Sequence, residues 1–327
     1  YSSAASDVYK RQYLGLVLSG ILYGGVVFFA KILSELGADL WEIILYTSFL
    51  VVVLTAFMAR HDIRLVFGQS LKFKLLLVAS MLLVNIGQYA PLYMGVSVTL
   101  VVLLLYLQPV WTALIERFYF RRPVSLQSWG LLFCMLIGLL FLINPVGELS
   151  YSWSGIVWAL LGGIGLSLWI LTTQAMSRKG ISPWGTFWAC YWYTLLPCSL
   201  LYLAMRLMFP ETAELQLGLN LSGRLWAAFL GYVVVILTLP NILLYRNNRK
   251  IPANVIGMIL LLEPVTGILL DVVFLGQQLT WNIVVGGLII LTANLLLIRH
   301  TSSCEGKCKT LLPSSRQKQR QNSALLR

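Results

Sequence analysis

Apolar runs of roughly 20 residues, long enough to cross a bilayer as a helix, follow one another along this chain with short polar gaps between them. They predict ten helices, at about 13–33, 41–59, 73–95, 98–119, 126–144, 153–175, 184–208, 223–246, 252–275 and 281–299. Only Gly95 to Ser97 separate the third from the fourth, which makes that connection a tight hairpin. Residues 1–12 are polar, rich in Ser and Ala, and lack both a starting methionine and an apolar signal core. They read as a non-native linker and are set apart from the fold. Residues 300–327 read as a basic tail.

Charge in the gaps adds an orientation. Every second gap is basic: Arg60, Arg64, Lys72 and Lys74; Arg117, Arg121 and Arg122; Arg178 and Lys179; Arg246, Arg249 and Lys250. The intervening gaps carry Glu35, Asp39, Glu42, Glu148, Glu211 and Glu214 with few bases. By the positive-inside rule, the basic gaps and both termini are expected on the cytoplasmic side of a cell (inner) membrane. Hydrophobic residues make up 58% of the chain and charged residues 11%, so lipid is the expected solvent. The net charge of +12 then serves orientation, and a nucleic-acid partner is not expected.

Inside the apolar runs, a phrase repeats. Leu107-Gln108-Pro109-Val110 returns as Leu262-Glu263-Pro264-Val265, 155 positions later, and the same shift carries Thr99 onto Asn254 and Glu116 onto Asp271. A second pairing joins Gly37-Ala38-Asp39-Leu40-Trp41 to Gly180-Ile181-Ser182-Pro183-Trp184. The chain therefore divides into repeats at 13–144 and 145–299, each with five helices. Five is odd, so the second repeat enters the membrane inverted. Inverted repeats with proline-broken helices are the signature of carriers that hold a solute near the membrane midplane.

Ten helices in two five-helix halves, with L-[QE]-P-V opening the second part of helices 4 and 9, resemble the drug/metabolite transporter superfamily of EamA type. Phe274-Leu275-Gly276-Gln277-Gln278-Leu279-Thr280 is similar to the hinge F-L-G-E-x-L-T of that family, and Phe120-Arg121-Arg122-Pro123-Val124-Ser125 stands at the matching place in the first half. The hinge glutamate is replaced by Arg122 and by Gln277. The resemblance spans about residues 13–299 and implies transport of a small organic solute. Its members mostly export amino acids, related metabolites or drugs, and some carry nucleotide-sugars or sugar phosphates.

Glu263 is the leading candidate for solute binding or coupling. An acid at the centre of a membrane helix costs about 3 kcal/mol or more unless it faces a cavity or a partner. Desolvation favours its neutral form, which suits reversible protonation. Pro264 removes one backbone hydrogen bond beside it and permits a kink. A structural glutamate locking helix 9 to a neighbour is the equal alternative. Gln108, beside Pro109, holds the symmetric place on helix 4, as a solute hydrogen-bonder or an interhelical bridge. Asn85 and Gln88 share a face of helix 3, Asn241 follows Pro240 on helix 8, and Tyr23 and Trp169 sit deep enough to flank an aromatic or apolar solute. Glu116 and Asp271 lie about 12 Å further along their helices, as gate residues or as solvated or paired end-of-helix charges.

Other classes fit less well. The two histidines, His61 and His300, stand in polar gaps, and neither H-E-x-x-H nor G-x-S-x-G occurs, so an intramembrane enzyme lacks its constellation. Cys134, Cys190 and Cys198 read as packing residues, Cys304 and Cys308 as a chance pair, and no metal or cofactor is expected. The filter loop or charged ring of a channel is not visible. The expectation is an all-α integral membrane carrier for an amino acid or related metabolite, exporting by alternating access and coupled to protons through Glu263. An uncoupled facilitator or exchanger for metabolites or sugar derivatives is the nearest alternative.

Overall fold

The computed structural model describes residues 2–118, 125–143, 152–208, 217–218, 221–247 and 260–311, with side chains from residue 14 to residue 297 apart from Glu116 and residues 142, 143 and 247 within those segments. Every regular element among them is helical: α1 Ser2–Glu35, α2 Leu40–Ala59, α3 Ile63–Phe67, α4 Leu71–Tyr93, α5 Val98–Leu105, α6 Gln108–Phe118, α7 Leu126–Ile143, α8 Trp153–Arg178, α9 Pro183–Met208, α10 Gly223–Gly231, α11 Leu239–Asn247, α12 Leu262–Phe274 and α13 Trp281–Leu311. A π-helical stretch, Tyr232–Thr238, joins α10 to α11.

Among the described residues, seven helical stretches are long and apolar enough to cross a membrane, and the apolar parts of α7 and α13, Leu126–Phe141 and Trp281–Leu297, are shorter. Residues 252–259 of the ninth expected helix, the hinge at 119–124 and the tail beyond 311 lie outside the described residues. The outer face is apolar, with Phe49, Val53, Phe57 and Leu200 all more than half exposed. Only an apolar solvent makes such a surface stable. The chain is an all-helical, multi-pass membrane protein.

Glycine sets two of its turns in the same way. α1 ends where Ala38 N–H donates to the Leu33 carbonyl, and α8 where Ile181 N–H donates to the Met176 carbonyl. Between each pair stands a glycine with positive φ, Gly37 at 95° and Gly180 at 82°. This left-handed helix end suits glycine because it lacks a Cβ. The two are the paired glycines of the repeated sequence.

Helices pack across the halves. α2 lies on α9, α7 on α13, α4 on α8, and α1 on both α12 and α11. Glycines permit the closest of these approaches. A Cβ built on Gly87 would lie 2.4 Å from the Gly162 Cα, so α4 and α8 meet backbone to backbone. The α2–α9 pair is also tied at both ends. The Glu42 carboxylate, in the first turn of α2, accepts from Gly218 N–H at 2.7 Å beyond the end of α9. At the other end Asp62, just past α2, accepts from Ser182 N–H at 3.2 Å and from the Ser182 hydroxyl, at the start of α9.

Candidate functional site

The fourth expected helix is broken where its proline predicts. α5 stops at Leu105, Tyr106 and Leu107 turn, and α6 begins at Gln108. Pro109 supplies no N–H and tolerates only the first turn of a helix. On the other half α12 begins at Leu262, with Glu263 and Pro264 in its first turn. Both repeated phrases thus open a helix, and both openings border one cavity of about 580 Å³. α5 is buried along its whole length, which sets the break deep inside the bundle.

The cavity collects most of the residues singled out by sequence. Glu263, Gln108, Asn85, Gln88, Asn241, Trp169, Tyr23 and Pro109 all line it. It extends to Ser125 and Ser128 at the start of α7 and to Leu297 on α13, the end of the molecule where the basic gaps lie. The Tyr106 hydroxyl stands 3.0 Å from the Glu263 carboxylate and 2.8 Å from the Leu260 carbonyl, and donates between them. Asn294 Nδ2 donates to the Tyr106 carbonyl at 3.2 Å, which ties α13 to the break. The backbone at Glu263 backs onto α1, where a Cβ on Gly24 would come within 2.6 Å of the Glu263 carbonyl oxygen.

Side-chain amides fix themselves to helix backbone. Asn85 Nδ2 donates to the Met81 carbonyl at 2.8 Å and to Thr194 Oγ1 at 3.4 Å. Asn241 Nδ2 donates to the Leu237 carbonyl at 2.8 Å, and Gln108 Nε2 to Thr112 Oγ1 at 2.7 Å. Ser167 on α8 donates to the Gln108 carbonyl at 2.9 Å. Aliphatic side chains and aromatic rings form the rest of the wall, with the Trp169 and Tyr245 rings 6.3 Å apart and tilted by 50°.

One expected gate residue stands elsewhere. Asp271 is absent from the cavity lining and is buried, and its Oδ2 accepts from Thr99 N–H at 2.7 Å and from Thr99 Oγ1 at 2.6 Å. It joins α12 to the first turn of α5, where a carboxylate suits the exposed helix amides. The Glu116 side chain lies outside the described residues. Pro264 is buried in the first turn of α12.

Sequence reading missed Tyr106, Asn294 and Asp62. Tyr106 carried a usable signal, a polar-tipped ring inside an apolar run two residues before Gln108. Asp62 carried none, because an acid in a basic gap looks like ordinary solvated surface.

Residues 153–299 match the model of the EamA-like transporter family. This stretch is similar to an EamA-like transporter domain. It runs from the start of α8 into α13 and contains Trp169, Asn241, Glu263 and Asn294. Across a wider stretch, the chain is 28% identical over 292 residues to an uncharacterized transporter of Archaeoglobus fulgidus, covering 87% of this chain and 95% of that one. It is 22% identical over 209 residues to the uncharacterized transporter YdfC of Bacillus subtilis, covering 64% of this chain and 63% of that relative, less than two thirds of its length. A solved crystal structure shares the fold with a TM-score of 0.57 at 13% identity, over 89% of this chain and 99% of that one. The first half of the chain lies beyond the matched stretch, yet its α1, α4, α5, α6 and α7 and the turn at Tyr106 supply about half of the cavity wall.

Proposed function

We propose that the protein is a secondary transporter that moves a small amphipathic organic solute, an amino acid or a related metabolite, across the cell membrane by alternating access. The cavity carries this reading. It lies at two helix openings, one from each half, and it holds one acid, Glu263, beside a broken helix. Its volume of about 580 Å³ falls within the range of small-molecule sites.

The packing pattern supports ten spans in two inverted repeats. Under that symmetry α2 and α9 exchange, as do α7 and α13, and each of these pairs is in contact. The α4–α8 contact has its counterpart in α11 and the π-helical turn against α1. The α8 contacts with α5 and α6 have theirs in α1 against α12. In this arrangement Glu263 takes up a proton in exchange for solute, and an inward proton gradient drives export.

Proton entry into proteoliposomes, measured while a panel of solutes is supplied, tests the reading. A solute-dependent proton flux that disappears in Glu263→Gln is the expected result. Solute movement without proton flux, unchanged in the variant, would make the protein a facilitator or exchanger and Glu263 a structural acid tied to Tyr106.

A further inference from the structure

The chemistry of the cavity wall is one-sided. Glu263 is its one carboxylate, and no Lys, Arg or His stands among the described lining residues. The amide nitrogens of Asn85, Gln108, Asn241 and Asn294 are each committed to a carbonyl or hydroxyl of the protein. No hydrogen bond reaches their side-chain oxygens among the described residues. Amide oxygens therefore stand beside the Glu263 carboxylate in the wall, and a solute that supplies donors matches them.

Two further groups point the same way. The hydroxyl of Tyr23 is buried and has no hydrogen-bond partner, the buried hydroxyl of Tyr245 lies against the Trp169 indole, and both residues line the cavity. A buried phenol left without a partner is costly, so the Tyr23 oxygen awaits a group that the protein does not provide. Their rings, with Trp169 and Tyr191, present aromatic surface of the kind that attracts a cation. A broken helix can also hold an anion at its N-terminus, but here a proline removes one N–H from each opening and a carboxylate already stands in the first turn of α12. At α6, Pro109 has no N–H and Val110 N–H is bonded to the Leu107 carbonyl at 2.9 Å. At α12, Glu263 itself fills the first turn and Pro264 has no N–H.

We propose that this cavity takes an organic ammonium ion with an aromatic or apolar body and no anionic group, its charge held by Glu263 and its donors by Tyr23, Tyr245 and the amide oxygens. The proposal rests on the transport reading above and narrows it: an amine is favoured over its parent amino acid. The ammonium of a zwitterion fits equally well, but its carboxylate would be desolvated beside Glu263 with no cation to meet it.

The test uses the full chain in detergent and in proteoliposomes, with phenethylamine, phenylalanine and phenylpropionate as probes. Tryptophan fluorescence reads binding and a pH dye inside the vesicles reads exchange. Phenethylamine is expected to bind at least about tenfold more tightly than phenylalanine, the cost of one unpaired buried group, with no saturable binding of phenylpropionate. Glu263→Gln should abolish that preference. Tyr245→Phe, which keeps the ring and removes the hydroxyl, should weaken amine binding several-fold without altering the elution of the folded protein. Phenylalanine binding as tightly as phenethylamine overturns the proposal, and if phenylalanine is also exchanged for protons the transport reading survives. Glu263-dependent amine binding without movement across the membrane would do the reverse. Failure of all three probes to bind also overturns the proposal.

Discussion

Gly24→Ala is the smallest change that reaches Glu263 without touching it. The added methyl would lie 2.6 Å from the Glu263 carbonyl oxygen, 2.6 Å from the Thr266 Cβ and 2.9 Å from the Gly267 nitrogen. Ordinary contact begins near 3.4 Å, so α1 and α12 must part by roughly 0.8 Å. Two of these three neighbours are backbone atoms, which no rotamer change can move aside. Overpacking of this kind costs about 1–3 kcal/mol. In a domain of this size that corresponds to a fall in Tm of several degrees. Part of the strain should be relieved by moving α12, and with it the carboxylate that Tyr106 and the cavity wall hold in place. Misplacement of a reacting group by about 1 Å can cost on the order of a hundredfold in rate. The assay is thermal unfolding in detergent beside solute-driven proton flux in proteoliposomes. Gly25→Ala is the control, because its methyl meets only side-chain atoms, the nearest at 3.1 Å. If Gly24→Ala matches the control in Tm and in flux, the backbone contact does not position Glu263 and the reasoning fails.

Other substitutions test separate parts of the structure. Glu263→Gln keeps the shape of the cavity but cannot titrate, so solute exchange measured between pH 6 and pH 8 should lose its dependence on pH, at whatever rate remains. Tyr106→Phe removes the donor shared by Glu263 and Leu260 and should cost about 1 kcal/mol in detergent unfolding; an unchanged Tm would mean that water replaces the phenol. Asp271→Ala leaves both Thr99 donors unpaired and should lower stability by about 1–3 kcal/mol, and Asp271→Asn, which still offers an acceptor, should recover part of that loss. Gly185→Ala would place a Cβ 2.4 Å from the Asp62 Cβ, so the tie between Asp62 and Ser182 should open, seen as faster amide exchange at the start of α9.

Much of this site was legible because its signals are local. Pro109 and Pro264 mark helix openings by covalent geometry alone, and a carboxylate inside an apolar run needs a cavity or a partner wherever the chain folds. Asn85, Gln88 and Asn241 could be named for the same reason. Pairing was harder to read, because partners are set by packing. Asp271 looked like an end-of-helix charge until Thr99, 172 positions away, was seen to meet it. Tyr106 faces Glu263 across 157 positions, and no periodicity within either segment encodes that approach. The π-helical turn ahead of α11 was also hidden in an unbroken apolar run. Pro240 explains it afterwards, since the carbonyl four residues earlier has no donor in α register.

The two ties on the α2–α9 pair limit how the molecule can rearrange. Asp62 holds Ser182 at one end, and at the other Glu42 holds Gly218, whose neighbour Leu217 donates to Tyr202 of α9, so sliding of either helix strains both ties. The pair is a strut of fixed length and must swing whole or stay still. Sliding freedom has to come from the surfaces without such anchors, above all the glycine seams of α1 against α12 and α4 against α8. A disulfide engineered between α2 and α9 should leave the working cycle intact, whereas one across either seam should stall it.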